Sequence, residues 1–121
     1  MTRRQVRVMI VESNRDAAQV MKLIIAGWGA DVYVAYDGAE ALDMADWLKP
    51  DVVLLDILAV ATGHDLARRL KAARWARRLR IIAVSSWGQD YDHIQSLKAG
   101  IERHLTTPVS ARDLRAAVFP A

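Results

Sequence analysis

The chain has 121 residues, 53% of them hydrophobic and 26% charged, with a formal net charge of +3 and no cysteine. That length holds one domain of ordinary size, and the balance of apolar and charged residues excludes a disordered or low-complexity chain. No apolar run approaches the roughly 18 residues that cross a bilayer, and the lack of cysteine removes disulfides and thiolate catalysis, so a cytoplasmic protein using oxygen chemistry is expected.

Gln5 to Val11 is apolar and β-branched, and it stops at Glu12-Ser13-Asn14, where Ser13 or Asn14 can cap a helix. The spacing predicts a first helix to about Trp28 with Ala17, Val20, Met21, Ile24 and Ile25 inward, and Gly27 and Gly29 supplying the stop. A second strand follows at Asp31 to Ala35. After the Asp37-Gly38 turn, Ala39 to Leu48 has helical spacing, and Pro50 ends it. Val52-Val53-Leu54-Leu55 is a continuous apolar run of the kind covered on both faces of a sheet, and it delivers Asp56 at its C-terminal end. A third helix begins near Gly63 and extends towards Arg74. Ile81-Ile82-Ala83-Val84 repeats the buried-strand signal and ends in Ser85-Ser86-Trp87-Gly88. Tyr91 to Ala99 reads as a helix closed by Gly100, His104-Leu105 as a short strand, and Pro108 and Ser110 open a last helix with Leu114, Ala117 and Val118 inward.

Five repeats of strand then helix require parallel pairing through right-handed crossovers, which gives an α/β fold: a doubly wound, five-stranded parallel sheet. Ligands of such sheets sit at the carboxyl ends of the strands. That rule selects Glu12, Ser13, Asp56, Ser85, Ser86 and Thr107, which come from distant parts of the chain.

This order, with the segments VMIVESNRDAAQV, VAYDGAEAL, DVVLLDI, IIAVSSWGQ and AGIERHLTTPVS, resembles the CheY-like receiver domain of bacterial response regulators over essentially the whole chain. The resemblance implies a flavodoxin-like (βα)5 receiver domain over residues 1–121, with no output domain, in a two-component phosphorelay. It implies that Asp56 is the phosphoacceptor, supported by a hydroxyl at Ser85 and by the group at Thr107. It also implies Mg²⁺ held by an acidic pair after the first strand, by Asp56 and by the backbone carbonyl of Leu58. Such chemistry crowds negative oxygens together, so metal and cationic groups must neutralise the charge.

Four departures weaken that cradle. Of the acidic pair, one member is the longer Glu12 and the other is the neutral Ser13. The lysine expected before the proline is Thr107, which donates one hydrogen bond but carries no charge. The loop Leu58 to Thr62 lacks the family's proline and is one residue short. Losing one preorganised charge stabiliser typically costs about 10²–10³ in rate, so impaired phosphorylation and at most weakly held Mg²⁺ are expected.

His104 stands where the family has a switching aromatic, so a pH-sensitive ring is one reading and a half-buried packing residue the other. Trp87 and Tyr91 are candidates for a partner surface beside the pocket. His64 and His93 lack metal-ligand spacing and read as surface residues, and Trp28 and Trp47 read as packing at helix ends. Arg68 to Arg80 is a basic stretch that reads first as a solvated face, so nucleic acid is not an expected partner. The leading expectation is a non-enzymatic receiver acting through its fourth helix, fifth strand and fifth helix, as a homodimer or with a histidine kinase or other signalling protein. The rival is a working phosphoacceptor on Asp56.

Overall fold

A computed structural model describes residues 5–57, 63–86 and 93–120. In chain order it contains β1 (Arg7–Val11), α1 (Arg15–Gly27), β2 (Asp31–Ala35), α2 (Gly38–Leu48), β3 (Val52–Asp56) and α3 (Gly63–Ala72). A short 3-10 helix (Arg74–Arg78), β4 (Arg80–Ser86), α4 (His93–Lys98), β5 (Ile101–Thr107) and α5 (Ala111–Val118) complete it. The five strands form one parallel sheet in the order β2-β1-β3-β4-β5. Among the described residues no helix is long and apolar enough to cross a membrane.

The apolar runs are central strands because both of their faces are covered. Val8, Ile10, Val52, Leu54 and Ile82 pack with Ile25 of α1 and with Leu114, Ala117 and Val118 of α5. On the other face Met9, Val11, Val53, Leu55, Ile81 and Ala83 pack with α2 through Ala41 and Ala45 and with α3 through Leu66 and Leu70. Alternation along each strand therefore feeds two cores, as a doubly wound sheet demands. Side-chain caps fix three helix starts: Asn14 Oδ1 accepts from the Ala17 N–H at 2.9 Å, Asp37 Oδ1 from Glu40 at 2.8 Å and Ser110 Oγ from Asp113 at 3.0 Å.

Several local expectations are corrected. The inner residues of α1 are Ala18 and Ile25 with Met21 half-buried, whereas Ala17 and Ile24 are exposed and Val20 and Leu23 are 58% and 73% exposed. Apolar residues surround nearly the whole helix, and a one-residue shift turns the face by about 100°, so spacing alone could not choose between them. The fifth strand is seven residues long rather than a short His104-Leu105 element, because its exposed Glu102 and Arg103 hide it from an apolar-run search. Trp28 meets Phe119 edge-on at 6.4 Å, as a packing residue should, but Trp47 is exposed and meets Tyr33 edge-on at 5.6 Å.

Candidate functional site

The carboxyl ends of β1, β3, β4 and β5 lie along one edge of the sheet and carry Glu12, Asp56, Ser85 and Thr107. Pairing sets their heights: Asp56 lies beside Val84, Ser85 beside Thr106, and Ala83 beside His104. Residues far apart in sequence thus meet because parallel strands start and stop together.

Glu12 and Asp56 form the centre. Both line a cavity of about 10 Å³ floored by Ile10, Met21, Leu54 and Val84, roughly the room needed by one water molecule. Burial pushes the Glu12 carboxyl above its ordinary range, the Asn14 backbone N–H, which donates to Glu12 Oε2 at 3.0 Å, opposes that, and the hydrogen bond and negative charge of Asp56 push it up again. Two carboxyl groups can hydrogen-bond to each other only if one holds a proton. Ser13 is exposed on the turn into α1, so its backbone N–H and not a second carboxylate acts on Glu12.

The two hydroxyl groups are engaged with the protein itself. Ser85 is 2% exposed, and its Oγ is hydrogen-bonded to Nε2 of His104. Thr107 donates its hydroxyl to the Ser85 carbonyl at 3.2 Å, tying the ends of β4 and β5 together. Burial, followed by the charge of His93, lowers the His104 ring below its ordinary value, so it sits neutral at physiological pH. His93, on the exposed start of α4, packs edge-on against His104 with centroids 5.6 Å apart.

This histidine pair left no signal along the chain, since neither ring has ligand or helical spacing with the other. Nor did it show that His64 is half-buried and hydrogen-bonded to the buried Ser96 at 2.8 Å, joining α3 to α4 rather than standing on the surface. Leu58, Trp87 and Tyr91 lie outside the described residues.

Among the described residues no three His, Cys, Asp or Glu side chains converge on one point. Two carboxylates do meet, and Mg²⁺ is often held by one or two carboxylates with water completing its octahedron. The residues therefore fit a weakly held ion better than a tightly caged one.

Residues 8–119 match the family model described as response regulator receiver domain. Among solved structures, the fold is similar to that of a Francisella response regulator receiver domain, at 27% identity and a TM-score of 0.80 over 94% of this chain and 93% of that one. It is similar to a response regulator from Chloroflexus aurantiacus, at 25% identity and a TM-score of 0.83 over 92% of each chain. A CheY-like receiver domain protein from Methanospirillum hungatei shares the fold, at 24% identity and a TM-score of 0.82 over 92% of this chain and 88% of that one.

Proposed function

The chain belongs to the response regulator receiver domain family, and from that premise we propose that it is an atypical receiver that signals through protein contacts, with phosphoryl transfer to Asp56 impaired. The observation that carries this reading is the Glu12–Asp56 pair, two carboxyl groups lining one small cavity whose other lining residues are all apolar, with the Glu12 carboxyl raised by burial and by its neighbour. An incoming phosphoryl group adds negative oxygens to that pocket. Thr107 offers them no charge, and the Ser85 hydroxyl must first leave His104 to reach them.

Each residue then has a restricted part. Glu12 and Asp56 would hold a Mg²⁺ ion, which when bound neutralises phosphoryl oxygens. Ser85 and His104 share one hydrogen bond, whose donor is set by the tautomer of the ring, and Thr107 keeps the β4 and β5 ends in register. Protein contact is supported by α4, where Ile94 and Leu97 are 68% and 76% exposed beside the histidine pair. Apolar side chains presented together mark interfaces, and a second copy of the chain or a histidine kinase are the partners this face suits.

Incubation with acetyl phosphate and Mg²⁺, followed by intact mass, tests the reading. The expected result is a small or undetectable gain in mass that Asp56→Asn abolishes. Rapid, stoichiometric gain would make the chain an ordinary phosphoacceptor.

A further inference from the structure

The opposite edge of the sheet holds a second constellation. There the start of β1, the turn between α2 and β3, and the 3-10 helix enclose a cleft of about 380 Å³, lined by Arg7, Lys49, Asp51, Trp75, Arg77 and Arg78 among others. Four cations face one carboxylate, and that carboxylate is partly engaged by the fold, since Asp51 Oδ2 accepts the Arg7 backbone N–H at 2.8 Å.

The basic stretch divides when its partners are traced. Arg68 donates to Gln95, Arg69 pairs with Asp65 at 3.0 Å, Lys71 donates to the Leu79 carbonyl at 2.8 Å, and Arg80 pairs with Glu102 at 2.9 Å. Arg77 and Arg78 make no ion pair among the described residues, and both are exposed at the cleft. Lys49 joins them from the end of α2, where its backbone is left-handed at φ 51°, a conformation that favours glycine. Trp75 lines the same cleft and packs against the core beneath it, so its ring gives the basic groups a fixed apolar wall.

We propose that this cleft binds a small anion carrying adjacent phosphoryl groups. Arginine forks match phosphate oxygens bidentately, and Arg77 and Arg78 bring two such forks to one cleft. The volume lies at the low end of small-molecule sites. With Arg68, Arg69, Lys71 and Arg80 engaged elsewhere, much of the free charge gathers in a cleft instead of running along a track, which favours a compact ligand over a nucleic-acid strand. The site is distant from Asp56 and does not depend on how Asp56 behaves.

Calorimetric titration of the whole chain with inorganic pyrophosphate, in metal-free buffer at low salt, tests the proposal. One saturable site is expected. Affinity should fall at least about tenfold in Arg77→Gln/Arg78→Gln, because hydrogen bonds to charged groups contribute about 1.5–3 kcal/mol each. It should be unchanged in Asp56→Asn. Both substituted arginines are exposed, and circular dichroism will confirm that the variant is folded. No saturable heat, equal affinity in the double variant, or loss in Asp56→Asn would overturn the proposal. So would citrate or a single-stranded oligonucleotide binding more tightly than pyrophosphate, which would assign the cleft to polycarboxylates or to nucleic acid.

Discussion

His104 is a titratable group, and its place between Ser85 and His93 gives its charge a physical consequence. Burial and the neighbouring His93 charge lower its pKa from the ordinary 6.5. The unfolded chain therefore takes up this proton first as the pH falls, so the stability His104 contributes is present at neutral pH and is lost as the pH drops through 6.5. Glu12 acts in the opposite sense. Its raised carboxyl lets the folded chain hold a proton above the ordinary 4.5, which relieves repulsion as the pH falls. The melting temperature of the wild type is expected to fall by a few degrees between neutral pH and the region below 6.5, and His104→Gln to lose most of that slope. Equal slopes in thermal scans of the two proteins would remove His104 from the explanation. The sequence showed which residue types meet at the pocket but not their protonation, because the shifts arise from burial and from neighbours on other strands.

Among the elements, α3 begins on a residue closely fitted against Ile57, which lies just past β3. A Cβ at Gly63 would stand 2.6 Å from Ile57 Cγ1 and 2.7 Å from its carbonyl oxygen, so the helix can start there only on a residue without a side chain. Gly63→Ala should destabilise the protein by about 1–3 kcal/mol, measured by urea unfolding, as overpacking against backbone does. A neutral result would show that the junction yields. Element order was legible in the sequence because buried parallel strands are short apolar runs and their helices end on glycine or before proline. Faces and edges were less legible: α1 carries apolar residues nearly all round, and β5 lines the sheet edge with Glu102 and Arg103 exposed. In both, packing against neighbours decides what periodicity leaves open.

The whole molecule is two cores sharing one sheet, so the central strands belong to both. Leu54→Ala, at a site 1% exposed, should cost about 2–5 kcal/mol and leave a single cooperative unfolding transition, whereas two separated transitions would mean that the cores melt independently. The same sheet assembles the pocket from four strand ends, and its net charge is therefore a property of the fold as a whole. The basic stretch illustrates the limit of reading along the chain: a linear run of arginines and lysine becomes, once folded, paired surface residues and one cationic cleft. The most direct measurement adds a carboxylate and an ammonium to the pocket, comparing acetyl phosphate labelling of the wild type with that of Ser13→Asp/Thr107→Lys. The double variant is expected to be labelled at Asp56 at least about a hundredfold faster, from the typical cost of removing one charge stabiliser. Wild-type labelling as fast as that of the double variant would contradict this expectation.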